Sequence, residues 1–317
     1  MPTPVFLTVD TEFAWRHHAA GLDMDAMYAR SLEPAGVGLG YQLGVLRRHG
    51  LKACFFVDPM PALVFGIDPI RRMVAAVIEA GQEVQLHLHP NWIGARRDDA
   101  GQAHGRFQMH EHDADEQAAL IAQATALLVE AGAPAPIAFR AGNYAADDAT
   151  LAALAAAGFT YDSSHNGAEA EASRIDLPRD RIAPVVHGGL IEVPVTVIAD
   201  RPGSLRTFQL CALSTAEMRA ALDHAVAADH AAVTIVSHGF ELANRAGTHA
   251  NAVHVRRFEA LCAMLAARRE QLPTQHFADR PALRLDAGDR PLPPAWLRTR
   301  RRQAEQLWSN LIAERAA

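Results

Sequence analysis

Seven short apolar runs, rich in β-branched and aromatic residues, alternate with longer stretches of helical period. This alternation constrains the fold of the 317-residue chain more than any other feature. The runs are 5–9, 52–57, 83–87, 137–139, 159–161, 190–195 and 233–237; the helical stretches are about 38–48, 69–80, 114–131, 147–157, 215–228 and 252–269. Gly50, Gly81, Gly132 and Gly158 stand where left-handed residues end helices, and Asp113 and Ser214 stand where a side chain caps a helix start. Strands that alternate with helices run parallel, and right-handed crossovers close or nearly close such a sheet into a barrel. The expected class is therefore α/β, a barrel of seven βα units over residues 1–279. In the remaining segment, 280–317, Pro291, Pro293 and Pro294 mark a linker before a final helix. Its Leu297, Ala304, Leu307, Leu311 and Ile312 fall near one stripe, which predicts docking on the barrel or on a second subunit as a homo-oligomer contact.

Composition narrows the function classes. Lysine and arginine number 30 against 36 aspartate and glutamate, a formal charge of -6, which argues against a general nucleic-acid partner. The basic run of Arg298, Arg300, Arg301 and Arg302 reads as a solvated helix face. With 21% charged residues, no membrane span is expected. Cys54, Cys211 and Cys262 are an odd number set far apart, so neither a disulfide framework nor a paired-cysteine metal site is expected. Cys54 reads as a small buried apolar residue. Met1 is followed almost at once by the first strand run, without the basic and apolar regions of an export signal, and the expected location is cytoplasmic.

Histidine is the compositional excess, with 16 residues, and several fall at strand ends. Asp10, His87, Arg140, Asp162 and His238 each end a different run, and in a parallel barrel those ends open on one face. Asp10 and Glu12 are two residues apart, as are His87 and His89, so each pair points one way if the extended geometry persists. Two imidazoles and a carboxylate leave a position open on a catalytic zinc ion. Two stretches interrupt the alternation, 91–113 with His104, His110 and His112, and 166–189; the first reads as a lid. Within it, Met109-His110-Glu111-His112 has no strand to fix it and reads as a solvated loop in preference to a ligand cluster. Trp15 and Trp92 each follow a candidate ligand segment and either stack on a ring of a bound molecule or pack under the rim.

Taken in order, these motifs resemble those of the polysaccharide deacetylase family, the NodB-homology domain of metal-dependent carbohydrate esterases, over roughly residues 5–277. Thr8-Val9-Asp10-Thr11-Glu12 is similar to the family's Thr-Phe-Asp-Asp motif, and Glu83-Val84-Gln85-Leu86-His87 to the approach to its paired histidines. Phe139-Arg140-Ala141-Gly142-Asn143-Tyr144 resembles its Arg-X-Pro-Tyr motif. The run from Phe159 to Ser164 resembles its motif with a strand-ending Asp, and Ile235-Val236-Ser237-His238 its Leu-X-His motif. The resemblance implies a distorted (β/α)7 barrel and hydrolysis of an N-acetyl, less often an O-acetyl, group from a carbohydrate or glycoconjugate. It makes Asp10 the general base, His238 the general acid, Arg140 the residue that holds the base and Asp162 the residue that tunes the acid. It also gives the Tyr144 backbone N–H a share of the oxyanion and implies a divalent metal, usually zinc. Two positions depart from the pattern. Thr11 replaces the second Asp, so Glu12 is the substitute ligand, and Asn91 replaces the second histidine, so His89 is the substitute there.

Amide hydrolysis needs an activated water, an oxyanion stabiliser and an acid for the departing amine. The expected division is a metal and Asp10 for the first, the metal for the second, and for the third a His238 kept protonated by a hydrogen bond to Asp162. The departures leave open a hydrolase of another non-peptide C–N bond, and a degenerate domain that binds carbohydrate without turning it over.

Overall fold

A computed structural model of the protein describes residues 2–97 and 105–309. The strands are β1 (Val5–Thr11), β2 (Cys54–Val57), β3 (Glu83–Leu88), β4 (Ala138–Ala141), β5 (Tyr161–Asp162), β6 (Val185–His187), β7 (Leu190–Glu192), β8 (Val197–Arg201), β9 (Ser204–Thr207) and β10 (Val233–His238). The helices are α1 (Trp15–Ala19), α2 (Met24–Ser31), α3 (Leu39–His49), α4 (Ala62–Phe65), α5 (Asp68–Glu79), α6 (Ala114–Glu130), α7 (Asp148–Ala156), α8 (Thr215–Ala227), α9 (Ala252–Ala267) and α10 (Trp296–Trp308). One sheet runs in the order β10-β1-β2-β3-β4-β5-β7-β6. Its first seven members are parallel and match the seven runs read from the sequence, while β6 folds back antiparallel on β7. The fold is thus a distorted seven-unit barrel whose sheet ends at β10 on one side and β6 on the other.

The two-residue period of the strands sorts side chains between two environments. In β1, Val5, Leu7 and Val9 join the large core shared with the helices, whereas Phe6 belongs to a second cluster with Cys54, Phe56, Ala138, Tyr161, Val193 and Phe277. That inner column continues from Phe6 through Thr8 to Asp10. On β3 the matching column runs Glu83, Gln85, His87, and on β4 it runs Ala138, Arg140. The inside of the barrel is consequently apolar at one end and ionisable at the other. At the apolar end Glu83 accepts the backbone N–H groups of Phe277 and Ala278 at 2.8 and 2.7 Å, and Phe277 stacks on Phe6 at 4.5 Å as a plug.

Helix boundaries follow local chemistry. Asp113 and Ser214 accept backbone N–H groups of α6 and α8, and Glu116 and Glu217 reach back in reciprocal capping boxes. Gly50 ends α3 at φ 62°, where a side chain is disfavoured. The short helices α1, α2 and α4, of 5, 8 and 4 residues, and the β8–β9 hairpin escape a reading by periodicity because each is too short to repeat a pattern.

Helix α10 sits on the barrel, one of the two places expected of it, but not by the face expected. It docks on the barrel through its polar side: Arg302 bridges Asp200 at 2.6 Å and Glu217 at 3.1 Å, and Glu305 pairs with Arg257 at 3.2 Å. The stripe faces outward, with Leu297 74% and Leu307 62% exposed, because the body offers buried carboxylates and not an apolar groove at that point. Leu311 and Ile312 lie outside the described residues. Arg302 also departs from the solvated run expected of it, being 5% exposed. Among the described residues no helix is long and apolar enough to cross a membrane.

Candidate active site

Strand register sets the site. Asp10 pairs across the sheet with His238, and His87 with Arg140, so four of the five strand-ending residues lie on neighbouring strands. Asp10, His87 and His238 open into a pocket of about 270 Å³ that Glu12, His89 and Tyr144 also line, while Arg140 is bonded to Asp10.

Asp10 is buried, and its Oδ1 accepts from an Arg140 Nη1 at 2.7 Å. The same nitrogen donates to the Thr8 hydroxyl at 2.7 Å, and the guanidinium is completed by the Ser163 carbonyl and hydroxyl, each at 3.0 Å. Arg140 is fully buried and lies over the Phe56 ring at 4.4 Å. Burial alone raises the Asp10 carboxyl, but the charges of Arg140, His87 and His238 outweigh it and hold the pKa below the usual carboxylate value. Asp10 is therefore an ionised carboxylate aimed into the pocket.

Glu12, His87 and His89 converge beside it. The nearest ligand atoms of the three lie within 4.8 Å of one another, the only such metal-binding trio among the described residues. The Glu12 carboxylate contacts His89 Nε2 directly and His87 Nε2 at 3.4 Å, and the two imidazole Nε2 atoms are 3.1 Å apart. His87 Nδ1 donates to the Arg140 carbonyl at 2.7 Å, which leaves Nε2 as the lone-pair atom facing the trio. Burial opposes charge on His89, but Glu12 overcomes it and lifts the pKa to about 9. A field that holds a proton there holds a cation equally well, and the donor set of two imidazoles and one carboxylate suits zinc. The residues fit a divalent metal.

His238 completes the site and corrects the expected role of Asp162. The partner of its Nδ1 is Glu241 Oε1 at 2.9 Å, while Nε2 looks across the pocket to Asp10 Oδ2 at 3.9 Å. Burial disfavours the imidazolium, but the hydrogen bond and charge of Glu241, with Asp10 and Glu12, raise His238 to about 9. Gln209 donates to Glu241, and Phe240 stacks on the His238 ring at 5.2 Å. Asp162 is engaged elsewhere. It accepts the Ser164 N–H at 2.9 Å and hydroxyl at 2.8 Å and faces Glu192, whose pKa burial and the Asp162 charge push well up. In the sheet order four strands, β4, β3, β2 and β1, stand between β5 and β10. Glu241, three residues after the strand-ending histidine in Ser-His-Gly-Phe-Glu, carried a readable signal that its off-strand position concealed.

Other expectations resolve around the rim. Trp92 is 1% exposed and packs against Trp15 at 5.0 Å and Phe65 at 6.2 Å, so it supports the wall, while Trp15 is half-buried. Residues Met109–Glu111 form a packed turn in place of a solvated loop: Met109 is buried, and Glu111 accepts the backbone N–H groups of Phe107 and Gln108. His110 and His112 stand outside the metal trio, and His104 lies outside the described residues. Cys54 is buried, and burial drives its thiol well above the ordinary value, which leaves it unreactive.

No protein-family model and no curated protein matches the chain. Solved structures do. A candidate polysaccharide deacetylase from Mycobacterium smegmatis superposes with a TM-score of 0.57 at 19% identity, over 88% of each chain. A 4-alpha-glucanotransferase from Thermococcus litoralis gives 0.51 at 10% identity, over 89% of this chain and 41% of that one. A family 4 carbohydrate esterase from Streptomyces lividans gives 0.43 at 14% identity, over 92% and 98%. Strand order and the superposition on the Mycobacterium smegmatis structure agree that the chain has a distorted (β/α)7 barrel fold.

Proposed function

We propose that the protein is a metal-dependent hydrolase that removes an acetyl group, from nitrogen or less often oxygen, from a sugar or glycoconjugate. The observation that carries this reading is the opposition of Asp10 and His238 at 3.9 Å beside the Glu12, His87 and His89 trio. A carboxylate fixed as a base and an imidazole fixed as an acid face one another on the wall of one pocket. The motif resemblance adds the substrate class.

Glu12, His87 and His89 would hold the metal, which supplies a Lewis acid that makes water acidic near neutral pH and polarises the acyl oxygen. Asp10, kept ionised by Arg140, accepts the proton from the attacking water. As the acyl carbon becomes tetrahedral, His238 Nε2–H gives its proton to the departing nitrogen. Glu241 keeps the Nδ1–H in place and stabilises the imidazolium before transfer, the positioning role that an orienting carboxylate plays for histidine. The test is acetate release from a panel of N-acetylated and O-acetylated sugars by protein loaded with zinc. Release that disappears with a chelator and returns with metal is the expected result; no release from any member overturns the proposal.

A further inference from the structure

Tyr144 lines the pocket, and its hydroxyl is buried and has no hydrogen-bond partner in the protein. Native structures rarely leave a buried polar atom in that state, and one that does so in a pocket calls for a partner that arrives from outside. The backbone points the same way. Asn143 and Tyr144 sit consecutively at φ 55° and 60°, although neither is glycine, so the turn after β4 holds Tyr144 in place against steric strain. Strain and an unsatisfied donor coincide at one residue, four positions beyond Arg140.

The neighbours decide what the hydroxyl can do. Burial and the carboxylates of Asp10 and Glu241 push the phenol well above its ordinary value, against the pull of Arg140, so the oxygen keeps its proton and can donate. Those carboxylates already have donors of their own, Arg140 for Asp10 and His238 with Gln209 for Glu241. A protonated phenol on a residue that lines the pocket is therefore left for the substrate.

We propose that the Tyr144 hydroxyl donates a hydrogen bond to the acyl oxygen of the substrate as that oxygen gains negative charge, which makes Tyr144 a catalytic residue through its side chain. This rests on the hydrolase reading above. In the step, water oxygen bonds to the acyl carbon, the carbonyl π pair moves onto oxygen, the water proton passes to Asp10, and the phenol keeps its own proton. When the C–N bond breaks, its electron pair leaves with nitrogen, which takes the proton of His238. The role is distinct from the backbone N–H that the family resemblance assigns to Tyr144. It is also distinct from that of His238, since an oxyanion forms whatever the leaving group.

The experiment compares Tyr144→Phe with wild type on an N-acetylated amino sugar and on 4-nitrophenyl acetate. The expected result is a fall in kcat of about 10²- to 10³-fold on both substrates, the usual cost of one oxyanion donor. KM should stay within about threefold, because the bond strengthens only in the transition state. The melting temperature should hold or rise, because the variant deletes an oxygen that has no partner in the protein. As a readout independent of turnover, affinity for methylphosphonate, a tetrahedral anion, should fall while affinity for acetamide does not. A kcat within about threefold of wild type, a loss in KM alone, or a loss confined to the amide overturns the assignment. Wild-type protein idle on both substrates sinks the hydrolase reading and this one with it, whereas an active wild type beside an unimpaired variant sinks the hydroxyl alone.

Discussion

The two sides of the pocket are built by different means. On the base and metal side, Asp10, His87 and Arg140 belong to strands β1, β3 and β4, and Glu12 and His89 follow directly on the inner columns of β1 and β3. Backbone register alone fixes their relative height, and the Arg140 carbonyl even sets the orientation of His87. On the acid side only His238 lies on a strand. Its orientation comes from Glu241, Phe240 and Gln209, all in connecting segments. A side chain placed by a sheet needs little help, whereas one placed by loops needs a network to hold it. The comparison teaches that the first side should fail by losing its contents and the second by losing its pH behaviour.

The largest expected effect tests the strand-built side. His87→Ala His89→Ala should lose its metal and all measurable turnover, with elemental analysis of chelator-free preparations as the measurement; equal metal content in variant and wild type would sink the assignment. Asp10→Asn should retain most of its metal and fold while turnover falls about 10²- to 10⁴-fold, since an amide cannot take up the water proton. Loss of metal from that variant would make Asp10 a ligand.

Next comes the acid. His238→Ala should slow an amide by about 10²- to 10⁴-fold and an activated acetate ester far less, because a nitrophenolate departs without a proton. Equal losses on both would turn His238 into a binding residue.

A smaller effect separates the orienting carboxylate from the one expected in its place. Burial lowers the His238 pKa and Glu241 raises it, for a net value of about 9. Glu241→Gln removes the raising charge, so the alkaline limb of the pH–rate profile should move to lower pH. Asp162→Asn should leave that limb where it is, because Asp162 is bonded to Ser164 and faces Glu192. A shift in the second variant and none in the first would reverse the two roles.

The smallest effect concerns stability. Burial first and Asp162 second raise the folded-state pKa of Glu192 well above 4.5. The folded state thus binds the proton more tightly than the unfolded chain, and the stability it contributes below pH 4.5 is lost as pH climbs toward the folded value. Glu192→Gln should flatten that decline and raise the melting temperature at neutral pH by about 2–4 °C. A decline as steep as in wild type would show that the pair does not hold the proton.

Legibility followed the same division. The seven parallel strands announced themselves because buried runs such as 5–9 and 233–237 leave few alternatives, and the two-residue spacing of Asp10 with Glu12 and His87 with His89 carried over to three dimensions. Glu241 was hidden because no period governs a residue beyond a strand end. Asp162 misled because ending a strand says which face a side chain reaches and not which neighbour it meets. The apolar stripe of α10 was legible as a pattern, but which side meets the barrel depended on Asp200 and Glu217, far away in sequence.

The pairing of β1 with β10 has a consequence during synthesis. Within the sheet β1 is made first and β10 last, so the strand that carries Asp10 waits for a neighbour more than 220 residues downstream. Until that neighbour emerges, β1 presents an unpaired edge beside β2, the kind of edge that recruits other chains. Contacts of such long sequence separation are slow to form because the intervening loop must be closed before they return any stability. A nascent chain halted short of β10 would therefore carry Asp10 and Glu12 at the end of an open strand, with no His238 to face them. Assembly of the pocket is thereby tied to the arrival of β10.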